Sequence, residues 1–322
     1  MSLAVAIQMD PMEGIDIDAD STFALAVEAE RRGHALFHYL PQDLTFRHGR
    51  VVARAHPMQV RYEKGNHFTF GEARSIDLAP VDVVLMRQDP PFDMAYITAT
   101  HLLEHLMATT LVVNNPTEVR NAPEKLFVTH FAELMSPTLI TSDREEILAF
   151  RKEQKDIILK PLFGNGGRGI FHISPEDENL NALLELFTEL YREPVIVQRY
   201  LPEVRDGDKR IILVEGVPVG AVNRVPPKGE ARSNLHVGGV AKKATLTARD
   251  HLICEAIGET LRDRGLLFVG IDVIGDCMTE INVTSPTGIR EINRFDNVAI
   301  EKQIWDAIEI RHAALGRGGQ AE

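Results

Sequence analysis

Residues 268–282 read FVGIDVIGDCMTEIN, two largely apolar runs on either side of a Gly-Asp pair, and that is the pattern of a β-hairpin. With the turn at Gly275-Asp276-Cys277, Ile274 pairs with Met278 and Asp272 falls directly opposite Glu280. Asn282 then lies two residues along the same face, because side chains alternate with period two. Two carboxylates and an amide oxygen converge. Like charges directly opposed destabilise a sheet, so the pair asks for a cation. Oxygen-only donors select a hard ion, and Mg2+ that shares phosphate oxygens is the usual solution. Gly270, opposite Asn282, leaves room for a ligand. A solvated acidic face is the alternative, weakened by the flanking Phe268, Val269, Ile271 and Val273.

Upstream, Gly164-Asn165-Gly166-Gly167-Arg168-Gly169 matches GxGxxG, but the dinucleotide reading needs a helix after the glycines, whereas Ile170-Phe171-His172-Ile173 continues as a strand. No GK[ST] is present, which excludes a P-loop. What remains is a glycine loop between antiparallel strands with Lys160 at the end of the first, able to lay backbone N–H groups over phosphates. An ordinary glycine-rich hairpin with a surface lysine fits this segment equally well. Residues 195–201 could offer adenine the backbone of an extended connector, and Asp208 is a ribose acceptor candidate. Arg210 and Arg224 lie in a hairpin turning at Glu215-Gly216, where guanidinium groups can meet developing negative charge. The polar loop 226–239 lacks periodicity and is long enough for a lid.

The remaining chain alternates strands and helices. Apolar runs at 3–9, 35–40, 81–86 and 111–113 read as strands. Helices are expected at 20–33, where Gly33 is the stop signal, and at 95–107, with a β-rich excursion over 47–61. This implies a parallel sheet over about residues 1–120. Beyond Asn115-Pro116 the pattern changes. Ser142-Asp143-Arg144-Glu145 reads as a capping box opening a helix. Strands at 156–159 and 170–173, a helix at 179–191, a helix capped by Thr247-Ala248-Arg249-Asp250 and ended by Gly265, and a last helix at 297–314 follow.

The 322 residues carry 35 Lys+Arg against 47 Asp+Glu, a net charge of −12, which argues against nucleic acid or anionic membrane as a partner. No apolar run approaches the ~20 residues of a membrane span. The start MSLAVAIQMDP lacks a basic region and reads as a strand, not a signal peptide. Cys254 and Cys277 form no CxxC pair, which fits a reducing cytoplasm. The His101/His105 pair reads as helix surface and not as a metal site, and Met9, Met86 and Met135 as core fillers.

Taken in order, Lys125, Lys160, the glycine loop, the 198–201 connector and Asp272/Glu280/Asn282 resemble the ATP-grasp superfamily. LMRQDPPFD, NNPTEVRNAPEKLF, ILKPLFGNGG, RDGDKRIILV, KGEARSNLHVGG and FVGIDVIGDCMTEINVTSPTGIREI resemble the bacterial glutathione synthetase family, over about residues 9–310. LMRQDPPFD with TEINVTSPTGIRE is specific to that family. The resemblance implies an α/β ATP-grasp fold with an N-terminal parallel-sheet domain (1–122). An ATP-grasp domain (123–314) follows, divided into a lid subdomain (about 124–200) and an antiparallel catalytic subdomain (about 201–314), then a flexible tail (315–322). It implies ATP-dependent ligation of γ-glutamylcysteine with glycine through an acyl phosphate, another carboxylate-amine ligase being the alternative.

By the same resemblance Lys125, Lys160, Gly164, Gly166, Gly167, Gln198, Tyr200, Leu201 and Asp208 bind ATP. Asp272, Glu280 and Asn282 hold Mg2+, with Mn2+ as the alternative, and Arg210 and Arg224 are catalytic, facing the transferred phosphoryl group. Arg87, Arg232, Asn234, Ser285, Thr287 and Arg290 bind substrate, Arg290 as the natural carboxylate partner. Family members usually carry an acidic residue where this chain has Phe163, and Arg168 is not a fixed feature. A cytoplasmic homotetramer is implied.

Overall fold

The computed structural model describes residues 2–229, 232–233 and 238–318. The chain opens with β1 (Ala4–Gln8), α1 (Ser21–Arg31) and β2 (Ala35–Tyr39), and α1 is capped by the Asp20 carboxylate accepting from Phe23 N–H. Four strands follow: β3 (Leu44–Arg47), β4 (Arg50–Val60), β5 (Phe68–Phe70) and β6 (Arg74–Asp77). Then come β7 (Val83–Met86), α2 (Met94–Glu104) and β8 (Leu111–Val113). Strands β2-β1-β7-β8 are parallel, as the alternating pattern predicts. The excursion differs: β4 pairs antiparallel with β2, β3, β5 and β6, β3 returning into β4 through the His48-Gly49 turn, with no α-helix between β2 and β6 to act as a parallel crossover.

After the short helices α3 (Pro116–Arg120) and α4 (Glu124–Phe127), an antiparallel sheet is built from β9 (Thr138–Thr141), β10 (Ile157–Pro161), β11 (Phe171–Ile173) and β12 (Val195–Arg199), in the order β11-β10-β12-β9. Helices α5 (Arg144–Gln154) and α6 (Leu180–Leu190) cover it. The cap of α5 is Asp143, whose carboxylate accepts from Glu145 N–H, and not the Ser142 of the expected capping box.

The third sheet is antiparallel, in the order β15-β14-β13-β16-β17, from β13 (Asp208–Val214), β14 (Val217–Val225), β15 (Val240–Lys243), β16 (Phe268–Ile274) and β17 (Cys277–Asn282). Helix α7 (Ala248–Asp263) carries the expected Thr247/Asp250 capping box. Two helices close the chain where one is expected, α8 (Ile289–Asp296) and α9 (Ile300–Gly318), the latter running into the segment read as tail.

The first and third sheets share their apolar cores: Tyr39, Val84 and Leu103 pack in one cluster with Ile211, Val269 and Ile281. Asn114 joins them further, its side chain accepting from Phe268 N–H and donating to the carbonyls of Phe268 and Val283, each within 2.9 Å. The middle sheet keeps a separate core of Ile147, Leu159, Leu184 and Val197. A body of two fused sheets and a smaller independent lobe therefore face each other across a cleft.

Candidate active site

The cleft has a volume of about 1160 Å3. Its floor is the hairpin β16–β17. Ile274 pairs with Cys277, so the turn is the two residues Gly275-Asp276, one fewer than expected, but an irregularity between Asp272 and Val273 shifts the register back. Asp272 consequently does oppose Glu280, and Gly270 does oppose Asn282. The expectation survives because a bulge at Thr279 offsets the misplaced turn.

The carboxylates are not uncompensated. Arg210, the register partner of Asp272 on β13, donates to both of its oxygens at 2.5 and 2.9 Å, and Arg224 reaches it at 3.0 Å. Burial opposes ionisation of Asp272, yet the two guanidinium groups hold its carboxyl well below the usual range. Glu280 faces Lys125 and Lys160 at 3.6 and 3.7 Å. Burial again opposes ionisation, and the two ammonium groups outweigh it. Gly270 leaves no space for a ligand: a Cβ there would lie 3.0 Å from Arg210 Cδ and 3.1 Å from Pro286 Cβ. That room is occupied by the arginine that clasps Asp272.

Lys160 is buried at the end of β10, not a surface lysine, and burial lowers its pKa while Glu280 opposes the shift. Lys125 Nζ donates to Gly164 O, tying α4 to the glycine loop. Gly164, Gly166, Gly167 and Arg168 line the cleft, as do Gln198, Tyr200 and Leu201 at the exit of β12. Gln198 donates to Thr138 Oγ1 at 2.9 Å and Tyr200 stacks on His172 at 4.0 Å. Phe163 stacks with Phe92 at 6.4 Å.

Asp208, expected as a ribose acceptor, lines the cleft and is also part of the arginine network: its Oδ2 accepts from Arg224 at 2.6 Å and from Ser233 at 2.8 Å. Burial raises its pKa to about 6. Its Oδ1 is buried without a partner among the described residues.

At the other end of the cleft, Arg87 is buried, donates to Thr22 Oγ1 and Pro286 O at 3.0 Å each, and stacks over Phe268. Ser285 Oγ donates to Arg87 O at 3.2 Å, and Thr287 O lies 3.5 Å from Arg210 Nη1. Arg232 lines the cleft, while Asn234 lies outside the described residues, as does part of the expected lid, 230–231 and 234–237. Arg290 departs from expectation. It does not line the cleft but stacks over Tyr62 at 4.7 Å, because α8 turns its side chain toward the first sheet's excursion.

Sequence reasoning missed Glu124, a cleft-lining carboxyl whose pKa is raised to about 7 by burial and by Glu280. Its adjacency to Lys125 was the available signal. It also missed the wall of Asp10, Asp16, Asp20 and Asp89, which face the cleft from the first sheet.

In chemical kind, Asp272, Glu280 and Asn282 fit a hard divalent cation: their donors are all oxygens, on one face of one hairpin. Glu280 and Asn282 are the more available, since both Asp272 oxygens are held by arginines. Among the described residues no group of three or more His, Cys, Asp or Glu side chains is arranged around a common metal position. A cation here would complete its shell with ligand oxygens.

Residues 3–120 match the family described as prokaryotic glutathione synthetase, N-terminal domain, and residues 124–297 match prokaryotic glutathione synthetase, ATP-grasp domain. The chain is 60% identical over 309 residues to a glutathione synthetase of Mesorhizobium japonicum, covering 96% of this chain and 99% of the relative. It is also 60% identical over 311 residues to a glutathione synthetase of Brucella melitensis, covering 97% and 100%. Among solved structures it resembles the D-cycloserine synthetase DcsG, with a TM-score of 0.67 at 15% identity over 96% of this chain and 99% of that one. A RimK domain protein ATP-grasp from Sphaerobacter thermophilus gives 0.64 at 17% over 94% and 98%. These structural likenesses establish the ATP-grasp fold.

Proposed function

Since this chain belongs to the prokaryotic glutathione synthetase family, we infer that it is a glutathione synthetase, an ATP-dependent ligase joining γ-glutamylcysteine to glycine. The observation that carries the chemistry is the charged floor, where Arg210 and Arg224 face Asp272 and Lys125 and Lys160 face Glu280 inside one cleft.

A carboxylate is a poor acyl donor, so the dipeptide's terminal carboxylate takes the γ-phosphoryl group of ATP and ADP leaves. The glycine amine, as its free base, attacks the resulting acyl phosphate, a tetrahedral centre forms, phosphate departs with the C–O bond electrons, and the nitrogen releases one proton to leave the amide. Lys125, Lys160 and the backbone of the glycine loop hold the nucleotide phosphates, and the connector Gln198–Tyr200–Leu201 receives the base. Arg210 and Arg224 are already oriented by Asp272 and Asp208, so they meet developing charge without reorganising. Bound Mg2+ or Mn2+, held by Glu280 and Asn282 with Asp272, supplies charge neutralisation at phosphate oxygens. Arg87, Arg232, Ser285 and Thr287 serve the acid-substrate end. The 1–122 and 123–314 division is our domain assignment, and a homotetramer of the 35.9 kDa chain is our oligomer assignment, to be tested by mass in solution. Among the described residues no helix is long and apolar enough to cross a membrane. A cytoplasmic location is our reading.

Phosphate release with γ-glutamylcysteine, ATP and a panel of amines tests the assignment. Glycine-dependent appearance of glutathione by mass spectrometry is expected. Phosphate release with a different amine and none with glycine overturns the substrate reading.

A further inference from the structure

The antiparallel excursion of the first sheet contributes nothing to the chemistry above, yet three of its neighbours converge on one cleft wall. That wall is the β1–α1 connection, residues 9–20, which presents Asp10, Asp16 and Asp20 to the cleft beside Arg87. His67, just before β5, lies with Nε2 2.8 Å from Met12 O. His38 on β2 lies with Nε2 3.2 Å from Asp10 O. A carbonyl can only accept, so each Nε2 carries its proton and donates. Tyr62, in the turn between β4 and β5, donates its hydroxyl to Asp18 Oδ1.

The donors are themselves supported. His67 sits edge-on to Phe23 at 5.7 Å and beside Phe68 at 5.0 Å. His38 lies tilted against Phe70 at 5.0 Å, and Phe70 stacks on His56 at 4.8 Å. Arg290 covers Tyr62 from α8. Asp10 is fixed from the opposite side as well, because Asp89 N–H donates to its Oδ2 at 2.8 Å. A loop of this length has several backbone conformations open to it, and fixing two carbonyls and one side chain removes most of that freedom before ligand arrives.

We propose that His67, His38 and Tyr62 are positioning residues that hold the β1–α1 connection against the acid-substrate end of the cleft, and thereby set affinity for the γ-glutamyl dipeptide. This rests on the function inferred above. Among the described residues the hydrogen bonds and ring contacts of the three run to the β1–α1 connection, to α1, to Phe68 and Phe70 and to Arg290, not to the nucleotide-side residues, so the effect falls on dipeptide binding and not on ATP.

The test uses the full chain. His67→Ala is expected to raise the KM for γ-glutamylcysteine roughly fivefold, the worth of one hydrogen bond, with the ATP KM and saturated kcat unchanged. His67→Gln, whose amide can donate from nearly the same place, restores the dipeptide KM. Tyr62→Phe, an exposed change that spares folding, shifts the same constant in the same direction. Amide hydrogen exchange over residues 9–20, read without turnover, rises in both His67→Ala and Tyr62→Phe. Unchanged exchange in both variants overturns the positioning role, whether or not the wild type makes glutathione. Raised exchange with an unchanged dipeptide KM overturns the link to substrate, as does a parallel fall of all kinetic constants that His67→Gln does not rescue. Absence of glutathione from the wild type counts instead against the functional reading.

Discussion

Arg210 and Asp272 are register partners on adjacent strands, joined by two hydrogen bonds of 2.5 and 2.9 Å. Across the next strand Asp272 faces Glu280, and Glu280 faces two lysines. Burying such charges is costly, and the cost is offset only while every member has its partner. Single substitutions in the row are therefore more damaging than their contact distances suggest, and which constant each one changes identifies its role.

Arg210→Ala should lower kcat by roughly 10²-fold or more, the scale of one lost preorganised donor. The ATP KM should change much less, because interactions made mainly in the transition state are what is removed. Arg210→Lys should rescue little, since an ammonium cannot span both Asp272 oxygens. Steady-state kinetics decide the matter: a change confined to the ATP KM would make Arg210 a ground-state phosphate clamp.

Lys160→Ala should weaken ATP binding by about 10- to 100-fold, the range for a hydrogen bond to a charged group. Glu280 retains Lys125, so the fold should persist. Titration calorimetry with ATP, alongside circular dichroism, checks both halves, and unchanged affinity would remove Lys160 from the nucleotide site.

How far the sequence could be read depended on how local each cause was. The β16–β17 hairpin was legible because alternation and a Gly-Asp turn lie within fifteen residues, although the turn was placed one residue too long and the bulge at Thr279 was invisible. The cations that satisfy Asp272 and Glu280 come from β13, β14, α4 and β10, and no periodicity connects such distant residues. From sequence the pair therefore reads as a demand for metal or as a solvated acidic face, and not as one half of a buried ion-pair network. Helix α8 was missed because Ser285-Pro286-Thr287-Gly288 signals a loop and the helix begins immediately after it. With α8 unseen, Arg290 could not be placed on Tyr62. Parallel pairing of β1, β2, β7 and β8 followed from alternation, whereas the antiparallel pairing of β4 with β2 depended on turn geometry after residue 40.

Gly216→Ala should destabilise the protein by about 2–4 kcal/mol, combining overpacking with a left-handed backbone penalty. Gly216 has φ +70°, and a Cβ there would lie 2.2 Å from the backbone oxygen of Gly258 in α7. Gly65→Ala is the control: φ is +81° with nothing within 4 Å, so about 1 kcal/mol is expected from conformation alone. Urea unfolding of the two variants separates close approach from strain.

Stability should fall as pH drops from 7 to 5, and His34 should contribute to that fall. Its Nδ1 accepts from Leu3 N–H at 3.3 Å, which suits the neutral ring, and burial depresses its pKa below the ordinary 6.5 despite Glu309 nearby. The unfolded chain therefore binds this proton more readily, so the contribution is present above about pH 6.5 and lost as pH falls toward the depressed value. In His34→Gln the difference between denaturation midpoints at pH 7 and pH 5 should shrink. An unchanged difference would assign the acid sensitivity elsewhere.

Glu280→Gln and Asp272→Asn should separate metal holding from arginine holding within one hairpin. Both keep side-chain shape and remove one charge, so packing is not the variable. Among the described residues Glu280 pairs with Lys125 and Lys160, at 3.6 and 3.7 Å and not in hydrogen-bond contact, which leaves its oxygens the more accessible to a cation. Asp272 has both oxygens engaged by Arg210, with Arg224 at 3.0 Å. Glu280→Gln should therefore raise the Mg2+ concentration for half-maximal activity by about 10-fold or more, the low end for a charged partner. Asp272→Asn should instead lower kcat at saturating Mg2+, because Arg210 loses the anion that orients it, and should shift the Mg2+ requirement less. Chelator should abolish turnover in the wild type, and added Mg2+ should restore it. A Mg2+ titration of initial rates in the three proteins provides the comparison. Equal shifts in the two variants would give Asp272 as large a share of the metal as Glu280, and would overturn its main role as the anchor of Arg210.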